Sequence, residues 1–162
     1  MTEDLQPGDR APAFRLATDD GGEVSSAKLK GRPFVLYFYP RDDTSGCTKE
    51  AINFSEDIRK FDAMGATVIG VSKDSISSHK KFRDKHKLGI VLASDPNVET
   101  AQAYGTWVEK SMYGRRYMGM ERATFLVDEK GLVRRIWRKV KVPGHAAAVL
   151  EALREITSAR KG

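Results

Sequence analysis

FVLYFYPRDDTSGCTKEAINF, residues 34–54, joins two opposite patterns. Its first part, Phe34 to Tyr39, is an unbroken run of β-branched and aromatic residues that stops at Pro40, the pattern of a central strand buried on both faces. Beyond the polar turn Asp42–Gly46, the residues Cys47, Ala51, Phe54, Ile58 and Phe61 fall at intervals of four, three, four and three. That spacing predicts one face of an amphipathic helix, ended by Gly65.

Outward from this strand–turn–helix, Thr67–Val71 predicts a second buried strand, Ser75–Lys87 a helix and Ile90–Ala93 a short strand. Asp95-Pro96 opens a short helix to Tyr104, and a loop bearing Gly and Met runs on to Met120. Thr124–Val127 and Leu132–Val142 flank the turn Asp128–Gly131 as a hairpin, and a last helix runs from Gly144 to about Ala159. The first thirty residues, centred on Asp19–Gly22, predict a separate small hairpin ahead of the core. The order βαβα, hairpin, helix predicts an α/β, thioredoxin-like three-layer fold: a central mixed β-sheet flanked by helices, with an extra N-terminal hairpin. Without repeat or linker, residues 1–162 read as a single domain.

Hydrophobic residues make up 40% of the chain and charged residues 31%, which excludes disordered and low-complexity classes. No stretch approaches the length of a membrane span, and MTEDLQPGDR is charged where a signal peptide is apolar, so a cytoplasmic location without membrane partners is expected. The net charge of +6 resides between Trp107 and Val142, where ten basic residues face four acidic ones. No nucleic-acid motif accompanies them, so they read as a solvated strand face plus one functional arginine. His79 and His86 share a helical face but lack a third ligand, so neither metal nor cofactor is expected. Trp107, Met112, Tyr113 and Met118 read as packing under the long loop.

Cys47 is the only cysteine, so no disulfide can form within the chain. A helix starting near Gly46 sets it in the first turn, where unpaired N–H groups and the positive end of the helix dipole favour the thiolate, the reactive form. The plain alternative is a core cysteine that begins the apolar stripe.

Pro40, Thr44 and Cys47 spell PxxxTxxC across the turn, and FYPRDDTSGCTKEA closely resembles the active-site motif of the peroxiredoxins. With GVSKDS (70–75), SDP (94–96), YGTWVEKSMYG (104–114) and RATFLVDEKG (122–131), the chain resembles the bacterioferritin comigratory protein, or peroxiredoxin Q, subfamily. The resemblance implies a thiol-dependent peroxidase that reduces hydrogen peroxide and organic hydroperoxides, its cysteine passing through a sulfenic acid. By that resemblance Cys47 is the peroxidatic thiol, Thr44 hydrogen-bonds the peroxide, Pro40 shields the thiolate and Arg122 is the remote arginine that completes the site. An ordinary cysteine is only about 3% thiolate at pH 7, so full ionisation gains about thirtyfold, or about 2 kcal/mol. The larger share must come from donors aimed at the leaving oxygen. A redox sensor, or a binding or holdase protein on the same scaffold, is the alternative function.

The chain departs from the subfamily where a second, resolving cysteine is usual: Ile52 stands at one such position and Arg83 at the other. A one-cysteine enzyme is therefore expected, resolved by thioredoxin, glutaredoxin, glutathione or a Cys47–Cys47 disulfide between two chains. Many subfamily members are monomers, and a monomer is expected here, with a dimer as the alternative.

Overall fold

The computed structural model describes residues 4–161, with side chains through Ser158. Among the described residues nine strands form, β1 (Arg15–Thr18), β2 (Glu23–Ser25), β3 (Phe34–Phe38), β4 (Thr67–Ser72), β5 (Val91–Ser94), β6 (Trp107–Met112), β7 (Arg115–Met120), β8 (Ala123–Val127) and β9 (Val133–Trp137). The helices are α1 (Ser45–Glu56), α2 (Ile58–Ala63), α3 (Ile76–His86), α4 (Glu99–Ala103) and α5 (His145–Lys161). Seven strands make one sheet in the order β2-β1-β5-β4-β3-β8-β9, parallel across β5-β4-β3 and antiparallel elsewhere, which is the mixed sheet expected.

The apolar run 34–39 works because strand residues alternate faces and both faces are covered. Val35, Tyr37 and Tyr39 point into the layer formed with Cys47, Ala51 and Phe54 of α1, Phe61 of α2, Phe82 of α3 and Val149 and Leu153 of α5. Phe34, Leu36 and Phe38 point the other way, against Phe14, Leu29, Ala101 and Tyr104. The second layer is thin, because α4 is a single short helix and the N-terminal segment completes it.

Four predicted elements differ, and the simplest case is the strand expected over Leu132–Val142, which ends at Trp137. The helix expected to run on until Gly65 breaks at Asp57, whose backbone swings to ψ 6° and donates its N–H to the Phe54 carbonyl. The tighter turn keeps the apolar stripe continuous by redirecting Phe61 into the core. The N-terminal hairpin is not separate, because β1 pairs antiparallel with β5 and extends the main sheet. The supposed loop to Met120 is the hairpin β6–β7, a two-stranded sheet of its own. It turns at Tyr113 and Gly114, both at positive φ (52° and 77°), the conformation of a type I′ turn. Tyrosine in place of the usual Asn or Asp hid it.

Candidate active site

Pairing of β3 with β8 builds the site. The register sets Phe38 opposite Ala123, so Pro40 follows one strand where Arg122 precedes the other. The backbone of Arg122 is fixed from the far side by the Val140 N–H, which donates to its carbonyl at 3.0 Å. The loop after β3 turns into α1, and Cys47 falls in the first turn of that helix, 1% exposed.

Arg122 bridges two residues of that helix. Its Nη2 donates to Cys47 Sγ at 3.2 Å and its Nη1 to Glu50 Oε1 at 2.7 Å. Glu50, one turn beyond the cysteine, is 1% exposed, so it orients the arginine and is no solvated helix charge. Gly46 leaves room for this: a Cβ there would stand 3.2 Å from Nη2. Burial pushes the Glu50 carboxyl up to about 7, against the pull of Arg122. Burial also works against the guanidinium charge of Arg122, and Glu50 and Cys47 outweigh it and raise its pKa. Glu50 Oε2 and the Tyr37 hydroxyl are the two buried side-chain polar atoms without a hydrogen-bond partner among the described residues. Burial drives the Tyr37 hydroxyl well above its usual pKa, with the charges of Glu50 and Cys47 adding, so it stays a neutral donor.

The loop 40–44 is held from α3. Asp42 accepts from the Tyr39 hydroxyl, from the Ser78 hydroxyl at 2.8 Å and lies 2.7 Å from His79 Nδ1. Its own N–H donates to Asp74 Oδ2 at 2.8 Å. His79 is fully buried, with Nε2 3.0 Å from the Ala93 carbonyl. Asp43, at φ 59°, pairs with Lys85 and His86. The two histidines of the α3 face therefore anchor the active-site loop through neighbouring aspartates. Thr44 is exposed, and its hydroxyl donates to the Arg41 carbonyl at 2.9 Å and does not cap α1. Pro40 is also exposed, on the lip of a groove of about 610 Å³ that includes Arg41, Lys73 and Trp107.

His145 closes the site from α5. It is buried edge-on to Phe54 and Trp137, with Nε2 2.7 Å from Thr124 Oγ1, two residues beyond Arg122. Burial, then the Arg122 charge, pushes its pKa down to about 4, so it is neutral at pH 7. Sequence reasoning missed His145, Asp42 and Tyr37. The polar residues on otherwise apolar faces, Glu50 at one turn from Cys47 and His79 three before Phe82, were the available signal.

Neither position of a second cysteine has one. Ile52 packs at the edge of the core. Arg83 grips both carboxylate oxygens of the buried Asp19 and donates to the carbonyls of Leu88 and Ile90, each at 2.7 Å. Ser55 accepts from the Gly89 N–H at 3.0 Å and Ser78 donates to Asp42 at 2.8 Å.

A thioredoxin-like sheet whose third strand leads into a cysteine-bearing helix, with an arginine from just ahead of the adjacent strand on the sulfur, defines the peroxiredoxin class of thiol-dependent peroxidases. Residues 7–136 match the AhpC/TSA family, and the chain belongs to it. It is 44% identical to a putative peroxiredoxin bcp of Coxiella burnetii, over 92% of this chain and 99% of that one. It is 42% identical to the peroxiredoxin Bcp of Bacillus subtilis, over 94% and 98%. Among solved structures, the Xanthomonas campestris bacterioferritin comigratory protein superposes with a TM-score of 0.86 at 40% identity, covering 89% of this chain and 92% of that one. Two mutants of X. campestris peroxiredoxin Q replace cysteines 36 residues apart, and the same interval from Cys47 reaches Arg83.

Proposed function

We propose that this chain is a one-cysteine peroxidase for hydrogen peroxide and organic hydroperoxides, one domain over residues 1–162, acting through Cys47. The observation that carries it is the Arg122 guanidinium on the Cys47 sulfur in a chain with no second sulfhydryl. The Cys47 thiolate attacks the terminal oxygen of the hydroperoxide. An S–O bond forms, the O–O bond breaks, and the leaving oxygen takes a proton and departs as alcohol or water. Sulfur supplies the two electrons and becomes a sulfenic acid. Arg122 stabilises charge on the stretching O–O bond, and the Thr44 oxygen, with its hydrogen spent on Arg41, accepts from the peroxide O–H. Pro40 shields the thiolate, and Glu50 holds Arg122 in place.

An external thiol then condenses with the sulfenic acid, releasing water and forming a mixed disulfide. A second thiol displaces Cys47 and leaves as the oxidised partner. The tether of Arg83 supports this reading, because the segment where relatives carry a second cysteine is here tied to Asp19. The enzyme works in the cytoplasm as a monomer, without nucleic acid, metal or cofactor. Mass spectrometry after one equivalent of peroxide tests the core of it: one oxygen added to the wild type and none to Cys47→Ser. A wild-type thiol that stays reduced would leave the binding or holdase alternative.

A further inference from the structure

The hairpin β6–β7 pairs with no other strand and stands apart from the main sheet. Met112, Tyr113, Tyr117 and Met118, the large apolar side chains exposed among the described residues, all lie on it, with Tyr113 98% exposed at the turn. None of the four belongs to either core cluster. This corrects the expectation that Met112, Tyr113 and Met118 pack under a loop. Only Trp107, at the base, does so, half-buried against the core and capped by Lys73 at 5.4 Å. Clustered exposure of this kind marks an interaction surface.

Charge indicates the partner. Arg115 and Arg116 flank the turn, and Glu109, the one acid of the hairpin, already faces Arg116 at 3.5 Å. The groove between the hairpin and Pro40 is lined by three cations, Arg41, Lys73 and Lys110, and by no carboxylate. Met112 and Tyr117 line this groove, and Lys110 and Arg115 share their face of the hairpin, so an apolar centre edged by cations complements a partner with an apolar centre and an acidic rim. The surface adjoins Pro40, and so lies beside the loop that leads into the cysteine-bearing helix.

Resting on the one-cysteine reading above, we propose that β6–β7 and its groove are the docking surface for an acidic thiol protein that reduces the Cys47 sulfenic acid. One partner thiol forms the mixed disulfide with loss of water, and the partner's second thiol breaks it, leaving Cys47 reduced and the partner oxidised.

Steady-state peroxide turnover is measured with dithiothreitol, with thioredoxin and its reductase, and with glutaredoxin, glutathione and its reductase. Cys47 oxidation is followed separately in a single turnover without reductant. At least one protein system is expected to sustain turnover, with a KM that rises as salt is added. Met112→Ser/Tyr117→Ser and Lys73→Glu/Arg115→Glu are each expected to raise that KM about tenfold. Both leave turnover with dithiothreitol and single-turnover oxidation unchanged. An unchanged KM, an equal loss with dithiothreitol, or turnover with dithiothreitol or glutathione but with neither protein overturns the proposal. So does hairpin-dependent binding to phosphatidylserine vesicles with no effect on reduction. A wild-type Cys47 that peroxide does not oxidise strikes the peroxidase reading itself, and the single-turnover arm separates that failure from this one.

Discussion

Glu50 takes Nη1 of Arg122 at 2.7 Å while the same guanidinium holds the Cys47 sulfur through Nη2, so one buried carboxylate sets where the cation beside the sulfur sits. The groups that face it are Arg122 from just before β8, Cys47 on its own helix and Tyr37 from β3, with His145 of α5 adjoining through the Arg122 charge. Glu50→Ala removes the anchor and is expected to slow Cys47 oxidation by about 10–100-fold, less than the loss of an oxyanion donor itself. Glu50→Gln keeps an acceptor for Nη1 and is expected to restore most of the rate. A stopped-flow pH series separates positioning from simple stability: the wild-type limb near pH 7 should vanish in Glu50→Gln. A limb that persists there would rule Glu50 out as its source.

The same carboxyl has a cost in folding. Its folded pKa of about 7 lies above the ordinary value of 4.5, so between those pH values the native state binds more protons than the unfolded chain. Stability attributable to Glu50 is therefore greatest in acid and declines as pH rises through about 7, by at most about 3 kcal/mol. Urea titrations at pH 5 and pH 8 should show that decline in the wild type and a flatter response in Glu50→Gln.

His145 acts with the opposite sign. Its folded pKa of about 4 lies below the ordinary 6.5, so the unfolded chain binds the extra proton, and stability is lost as pH falls from about 6.5 to about 4. His145→Gln retains a polar atom for Thr124 Oγ1 and carries no titrating ring. Thermal melts in this window should show a smaller acid loss for the variant, and an identical acid profile would assign the loss to other groups.

Gly46→Ala sets a methyl 3.2 Å from Nη2 of Arg122, closer than nearly all real Cβ contacts. The guanidinium must retreat from the sulfur, and peroxide oxidation of Cys47 is expected to fall about tenfold, with little change in melting temperature because Gly46 is helical and alanine favours helix. Stopped-flow fluorescence and calorimetry on one sample read both quantities.

Arg83→Ala strips the buried Asp19 of its cation and frees two carbonyls. Breaking such a pair costs about 3–5 kcal/mol. If the tether holds the end of α3 in place, amide exchange in 83–90 should accelerate more than in β3 or β4. Uniform acceleration would instead indicate a purely global loss.

Much of this was legible because local pattern and tertiary outcome agree. The run 34–39 has no polar residue to spare for solvent, so its strand had to be central, and the thin second layer still covers it. The stripe from Cys47 to Phe61 predicted the buried face of α1 correctly but not the break at Asp57, because a tight turn can preserve periodicity while changing direction. The hairpin 107–120 was missed because its turn is Tyr-Gly and because its outer side chains pack on nothing, so the apolar residues there follow no core pattern.

By itself the sequence determined the strand–turn–helix around Cys47, the helix-start position that favours a thiolate, and the absence of a second cysteine, since periodicity, turn chemistry and residue identity are all local. Only the tertiary structure decided that Arg122, 75 residues away, meets that sulfur and that Glu50 is buried against it. It also decided that Arg83 spans to Asp19, and that Lys110, Met112 and Tyr117 of the β6–β7 hairpin share a groove with Pro40 and Arg41. Those relations depend on the pairing of β3 with β8 and on which faces remain uncovered, and spacing along the chain encodes neither.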